Sequence, residues 1–542
     1  MSQKIAVNQE YLKFPNFNLI IIGFIFLIYI AYLQIPIMEI DAAQYAMISL
    51  EMSQNNSYLQ IYEEGKDYLD KPPLLFWLAS IGIKIFGPNS IAYKIFPFII
   101  ICFGYFATFR FVALHYTKNV AFWSIIILAT CQGYFLMVND VRTDGILFGS
   151  IMLSIWQLSS YFKGRNWKYF LGAAFFASMA MMAKGPIGLL SILLPIGLDL
   201  IIRKQWKDVF HIRWLLFLGI VLVFLSPMLW GLYNQFDLHP EKTAYGIKSP
   251  SGIIFYFWTQ SFGRITGGSD WNNETSYLYF FHTILWDFFP WIVVLLPALF
   301  FMVKNKAKLV EWISVTGFLM LFSLLSFSKY KLPHYIYITF PFASIICASY
   351  FTDISLKSQK LYSLISIGLL SIVGILFLAY FTLFFPFQIK NIWPVSLILL
   401  VIVLFFKVEE NRHLVRFAFV SISLNILLSM CFYPVLLQYQ SGNQAATWIS
   451  KHYDKNELIY QYKHPSNSFS YYYGKAAIEV DSSQLADIPT SKLLLTDEKI
   501  FNPDWNLVKI FETYPVTRLN VKFLLNTSRL SELHKSYLYQ KK

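Results

Sequence analysis

The sequence predicts an all-α polytopic membrane protein of about thirteen transmembrane helices, carrying a small C-terminal α/β domain outside the membrane. Three observations lead there. First, the 542 residues are 56% hydrophobic and only 14% charged, with a mean hydropathy of +0.50, well above that of soluble domains. Second, apolar runs of about twenty residues recur, each long enough for a hydrocarbon core of roughly 30 Å. These runs are continuous rather than short and alternating, so helices must satisfy the backbone in lipid, not barrel strands. Third, from about Gln438 the chain turns polar.

The apolar runs fall near 17–37, 91–113, 120–138, 144–162, 169–184, 186–202, 214–233, 282–303, 309–327, 335–351, 361–385, 391–407 and 416–437. The first lacks a cleavable signal pattern and is long enough to remain as an anchor. The fifth and sixth form a tight hairpin through Lys184, Gly185 and Pro186. Alternate loops are basic: Lys4 and Lys13; Lys118; Lys163, Arg165 and Lys168; Arg203, Lys204, Lys207 and Arg213; Lys304, Lys306 and Lys308; Lys357 and Lys360; Lys407, Arg412 and Arg416. By the positive-inside rule these loops and the N-terminus face the cytoplasm of a bacterial inner membrane. The net charge of +13 resides mostly there, so it does not point to nucleic acid.

The opposite side then holds a first outer loop, 38–90, a long outer loop, 234–281, and the tail. Two domains result: a transmembrane domain over 1–437 and an extracytoplasmic domain over 438–542. Alternating runs at 458–462, 477–480 and 492–495 predict strands of a small α/β unit. The four cysteines, Cys102, Cys131, Cys347 and Cys431, each lie in an apolar run without CxxC spacing. They read as buried small hydrophobes rather than a disulfide frame or metal site.

The unusual ionisable groups gather at the outer rim. Asp41, Glu51, Glu63, Glu64, Lys66, Asp67, Asp70 and Lys71 share one loop; Arg142 and Asp144 sit in VRTDG; Lys184 ends the fifth run; Arg264 lies in the long loop; Lys329, Lys331, His334 and Tyr335 come from SKYKLPHY. The middles of the runs are nearly free of charge, whereas an ion pump places acids near the bilayer midplane. A sugar carried on a lipid phosphate presents that phosphate at headgroup level. A transferase needs cations there, to hold the phosphate and stabilise charge as the sugar leaves. Lys71, Arg264, Lys331 and Lys184 are the candidates. It also needs a carboxylate to orient the nucleophile or take its proton, with Asp41 first and Asp144 second. The pair Pro72-Pro73 denies helix before it and holds Lys71 at the mouth of a helix beginning near Leu74. HEXXH, Walker A and Rossmann patterns are absent, and His239, His282 and His334 lie far apart, so no cofactor and no designed metal site are expected, while the sequence leaves metal dependence open.

The runs DAAQYAMISLEM and YLDKPPLLFW, followed in order by RTDG, AKGP and KLPHYIY, resemble the membrane GT-C glycosyltransferases of the protein O-mannosyltransferase and lipid A aminoarabinose transferase type. The resemblance covers about residues 17–437. It implies a polyprenyl-phosphate sugar donor, a glycolipid or protein acceptor on the outer side, inverting transfer and a monomer. It places the family's catalytic carboxylates on Asp41 and Asp144. It places donor-phosphate contacts on Lys71, Lys331, Tyr335 and Arg264, and substrate contacts on Tyr45 and Asp70; Tyr68 and Lys184 are candidate substrate contacts beside them. Three positions depart from the family pattern: Ala42 replaces Glu, Gln44 replaces Arg, and Asp70 replaces Glu. The first two remove charge near the donor sugar, which argues against assuming aminoarabinose. Two alternatives stay open, a lipid-linked sugar flippase and a ligase using a diphosphate-linked glycan.

Overall fold

The computed structural model describes residues 15–263, 275–305, 309–352, 354–384, 392–407, 411–454, 457–464 and 466–542. Every expected apolar run is helical where described. The first nine helices are α1 (Pro15–Gln34), α2 (Asp41–Asn55), α3 (Leu74–Phe86), α4 (Ser90–His115), α5 (Lys118–Thr130), α6 (Gln132–Asn139), α7 (Thr143–Gly164), α8 (Trp167–Lys184) and α9 (Pro186–Ile202). Among the described residues, five helices are long and apolar enough to cross a membrane outright, and up to seven if each bent pair counts as one span. Shorter apolar helices fill out the bundle.

Two expected spans are not single rods. The run at 120–138 breaks between α5 and α6 with a 57° bend, and that at 282–303 breaks between Tyr279–Asp287 and Ile292–Lys304 with a 115° bend. The two breaks face each other: the Gln132 amide donates to the Phe289 carbonyl at 3.1 Å. Pro290 has no amide to continue its helix. Backbone groups freed in the bundle interior must find partners within the protein, and here one break serves the other. The effect is to turn α6 and its C-terminal Asn139 toward one end of the bundle.

Close packing orders that end. At the crossing of α4 and α7, a Cβ on Gly149 would lie 2.3 Å from the Ile100 carbonyl oxygen, and one on Gly104 would lie 2.8 Å from the Gly149 Cα. Small residues let membrane helices approach this closely. Gly149→Leu should therefore push α4 from α7 and destabilise the fold by at least about 2 kcal/mol. Size-exclusion profile and thermal unfolding in detergent would show it as loss of the monodisperse peak and a lowered midpoint. Cys131, Cys347 and Cys431 are buried as expected, but Cys102 is exposed. It sits on the side of α4 that carries exposed Ile99, Phe103 and Phe106, a lipid-facing surface where an apolar thiol is at home.

The first outer loop is largely structured. It forms α2, a hairpin of β1 (Tyr62–Glu63) and β2 (Lys66–Asp67), then α3. A second hairpin follows in the long loop, β3 (Thr243–Ala244) with β4 (Ile247–Lys248). The tail builds a five-stranded mixed sheet in the order β6-β5-β7-β9-β8, from β5 (Ile459–Tyr462), β6 (Ile478–Glu479), β7 (Leu493–Thr496), β8 (Trp505–Thr513) and β9 (His534–Lys541). The three expected strands are β5, β6 and β7. The other two carry weaker signals: β8 buries only Trp505 and Phe511 and contains an irregularity at Leu507–Lys509, so its period-two pattern is lost.

The tail is bolted to the first loop. Gln440 accepts from the Glu39 amide at 3.1 Å and donates to the Ile37 carbonyl at 2.9 Å. Glu39 Oε1 accepts from the Ser466 hydroxyl at 2.8 Å and the Ser468 amide at 2.9 Å. Tyr472 receives the Ile37 amide at 2.8 Å, and Tyr471 donates to the Asn89 carbonyl at 2.9 Å. Both ends of the segment that precedes Asp41 are thereby clamped.

Candidate functional site

Asp41 opens α2, directly after the clamped Glu39 and Ile40. Arg142, just ahead of α7, donates through Nη1 to Asp41 Oδ2. Its Nε and Nη2 reach Asp140 Oδ2, each at 2.8 Å. Burial works against the guanidinium charge, but Asp140 and Asp41 outweigh it and hold Arg142 above its ordinary pKa. Asp41 is thus an ion-paired carboxylate, fixed from α2 on one side and from the α6–α7 turn on the other.

Asp144 lies in the first turn of α7, where the helix dipole favours an anion, and Lys184 in the last turn of α8, where it favours a cation. The two pair at 2.5 Å with only 3% of the Asp144 side chain exposed. Gly185 has φ +82°, a left-handed conformation that lets the chain reverse at once into Pro186 at the start of α9. Lys184 Nζ also lies 3.8 Å from the centre of the Tyr335 ring. Lys71 pairs with Asp70 at 2.5 Å, immediately before the proline pair and α3.

These groups meet around two side chains. The Tyr45 hydroxyl is held well above its ordinary pKa, by burial first, then by the carboxylates of Asp41 and Asp70. His334 is kept well below its ordinary pKa, by burial first, then by Arg142, Lys184 and Lys71. Asp41 and Lys71 therefore belong to one centre, as expected from the rim of charge. Tyr45 and Tyr68 pack edge-on against Phe76 of α3, at 5.9 and 5.8 Å.

Two spaces flank the Asp144–Lys184 pair. One is a cavity of about 270 Å³ where Asn139, Asp140, Arg142, Asp144 and His334 stand among apolar residues such as Met38, Leu136, Met137 and Leu332. The other is a mostly apolar groove of about 200 Å³ whose lining includes Lys71, Lys184, Tyr335, Leu190, Leu324 and Ile338. Lys184 lines the groove while its partner Asp144 lines the cavity.

Of the residues proposed from sequence, Asp41, Tyr45, Asp70, Lys71, Asp144, Lys184 and Tyr335 come together here. Tyr68 is 1% exposed and shares a small recess with Lys71 and Gln260. Lys331 stands to one side, donating to the Thr275 carbonyl at 3.1 Å with Tyr277 beside it. Arg264 lies outside the described residues. Gln44, where the resembling family has Arg, turns away to donate to Glu63 at 2.7 Å. Burial raises the Glu63 carboxyl above its ordinary pKa. Sequence reasoning noted Arg142 and His334 only as part of the charged rim and gave them no role, and it passed over Asp140. No spacing rule links Asp41 with an arginine about a hundred residues on. Among the described residues no group of three or more His, Cys, Asp or Glu is arranged to hold a metal ion.

The chain is similar to several known proteins. Residues 70–230 match the family described as dolichyl-phosphate-mannose-protein mannosyltransferase. An uncharacterized protein of Aquifex aeolicus is 26% identical over 417 residues, 76% of this chain and 78% of its own. Undecaprenyl phosphate-alpha-4-amino-4-deoxy-L-arabinose arabinosyl transferases are also similar. That of Wigglesworthia glossinidia brevipalpis is 25% identical, covering 66% of this chain and 63% of its own. One from Proteus mirabilis is 24% identical, covering 62% and 60%. The chain thus spans under two thirds of the length of these named transferases. The crystal structure of ArnT from Cupriavidus metallidurans bound to undecaprenyl phosphate superposes with a TM-score of 0.71 at 14% identity, covering 88% of this chain and 92% of that one. The fold is that of polytopic GT-C membrane enzymes, and the similar proteins with named activities are glycosyltransferases. Among such enzymes the chain is similar to the arabinosyl transferases in sequence and to ArnT in fold.

Proposed function

We propose that this protein transfers a sugar from a polyprenyl-phosphate donor to a glycolipid or protein acceptor at the outer face of a bacterial inner membrane, with inversion. The carrying observation is the wall between groove and cavity. A prenyl chain suits the apolar groove, its phosphate suits the cations Lys71 and Lys184 that line it, and the sugar suits the polar groups Asn139, Asp140, Arg142 and Asp144 in the cavity beyond. Named relatives act on undecaprenyl phosphate-linked sugars, and the superposing ArnT was solved with undecaprenyl phosphate. Both support that donor class.

In this reading Lys71 and Lys184 neutralise the leaving phosphate, where preorganised cations act most strongly in a site shielded from water. Tyr335 braces Lys184, and Lys331 extends the cationic field; Arg264 keeps the phosphate-binding role expected from the sequence. The Arg142-paired Asp41 accepts a hydrogen bond from the sugar or acceptor and opposes the positive charge that grows on the anomeric carbon. Asp144 keeps Lys184 aimed. Tyr45, Tyr68 and Asp70 shape the donor end. The basic loops put the N-terminus in the cytoplasm and the sheet outside. Gln44 and Ala42, in place of charged residues, favour a donor sugar other than aminoarabinose.

The purified protein in nanodiscs, given undecaprenyl-phosphate mannose or undecaprenyl-phosphate aminoarabinose and an envelope lipid extract, is expected to release undecaprenyl phosphate and move label onto an acceptor. Movement of donor across liposomes with no transfer product would instead establish a flippase. Mass spectrometry of envelope glycolipids with and without the gene would identify sugar and acceptor together.

A further inference from the structure

The cavity holds one more group able to do chemistry. His334 lines it, with its side chain 17% exposed. Its Nε2 lies 3.6 Å from Asp144 Oδ2. That carboxylate oxygen is buried and has no hydrogen-bond partner among the described residues, while Oδ1 of the same carboxylate is taken by Lys184. At 3.6 Å the pair is not yet hydrogen-bonded. Catalytic hydrogen bonds are often long in an empty site and tighten when substrate enters.

The other candidate bases in this space are already engaged by cations. Arg142 holds Asp41 and Asp140, and Lys184 holds Asp144. The groups facing His334 are Asp144 on α7, Lys184 on α8, Arg142 before α7, Lys71 before α3, and the neighbouring Tyr335 ring at 5.1 Å. With Nε2–H turned to Asp144, Nδ1 is left as a proton acceptor on the cavity side. No protein hydrogen bond engages Nδ1 among the described residues.

We infer that His334, oriented by Asp144, is the general base of this transferase, and that the acceptor attacks through a hydroxyl group rather than through a phosphate oxygen. The inference rests on the transfer reading above. In the step, the acceptor oxygen forms a bond to the anomeric carbon as the bond from that carbon to the phosphate oxygen breaks. The electron pair leaves on the polyprenyl phosphate, held by Lys71 and Lys184. The hydroxyl proton passes to His334 Nδ1, and Asp144 Oδ2 stabilises the imidazolium through Nε2–H. A phosphate acceptor is already an anion and would need no such base, so the presence of one narrows the acceptor class. The surrounding cations and burial keep the imidazole unprotonated at neutral pH, the state a base requires.

The test uses the full chain in nanodiscs, with undecaprenyl-phosphate mannose and undecaprenyl-phosphate aminoarabinose as probes and an envelope lipid extract as acceptor. Released undecaprenyl phosphate counts transfer to any acceptor. His334→Gln is expected to lower kcat about a hundredfold or more, with the donor Kd within twofold of wild type. Wild-type kcat/KM should fall on the acid side as the imidazole takes up a proton, and that limb should vanish in the variant. A variant that keeps both its turnover and the acid limb overturns His334 as base while leaving the transferase intact. So does one that loses donor affinity along with turnover, since that is a structural failure. His334→Asn is the second variant; the two agreeing in kcat loss at preserved Kd supports the assignment. A wild type silent with both donors overturns the transfer reading and this inference with it.

Discussion

Lys184→Met should weaken donor binding and the fold at the same time. The ammonium is paired with Asp144 at 2.5 Å, and that carboxylate is only 3% exposed. Removing one partner of a buried pair strands the other charge, which typically costs about 3–5 kcal/mol. The expected result is a clearly lowered unfolding midpoint in detergent and a donor Kd raised by about a hundredfold, from loss of a charge-assisted contact to phosphate. The double variant Lys184→Met/Asp144→Asn separates the two effects. Taking away both charges should return much of the stability, since neighbouring pairs couple rather than add. Donor affinity should stay lost. If the double variant binds donor as wild type does, Lys184 is a structural ion-pair partner and not a phosphate ligand.

Asp41→Asn should cost turnover without costing structure. Arg142 keeps Asp140, with both contacts at 2.8 Å, so the guanidinium is not stranded and the amide is nearly isosteric. The clamp ahead of α2 runs through Glu39, Gln440 and Tyr472, none of which touches the Asp41 carboxylate. We expect kcat to fall by on the order of 10² to 10³, with unchanged donor Kd and unfolding midpoint. The loss should be uniform across pH, in contrast to the altered acid limb expected for His334→Gln. Turnover within a few-fold of wild type would remove Asp41 from the chemistry. It would leave the Asp41–Arg142 pair as a brace between α2 and the α6–α7 turn.

The two variants probe residues of different legibility. Asp41, Asp70, Lys71 and Asp144 could be picked out because charge is rare in this chain and expensive in lipid, so each one stands out against an apolar background. The Lys184-Gly185-Pro186 turn was legible for a local reason, since proline at a helix start and glycine before it specify a reversal whatever surrounds them. The bends at Cys131 and Phe289-Pro290 were not, because each is stabilised by the other through a hydrogen bond between segments 157 residues apart. The roles of Arg142, Asp140 and His334 were hidden for the same reason. An arginine beside a helix start is ordinary until α2 delivers a carboxylate to it.

The sequence by itself therefore determined the membrane class, the order of the long apolar helices and three of the five strands of the C-terminal sheet. Those follow from local composition and period, which act within one or two turns of chain. Only the tertiary structure decided which carboxylate meets which cation, that the apolar groove and the cavity share Asp144 and Lys184 as a wall, and that a histidine faces the second Asp144 oxygen inside. Such pairings depend on where bent helices and a clamped loop place side chains that lie far apart along the chain. Electrostatic and hydrogen-bonding energies fall off over a few ångströms of space, not of sequence.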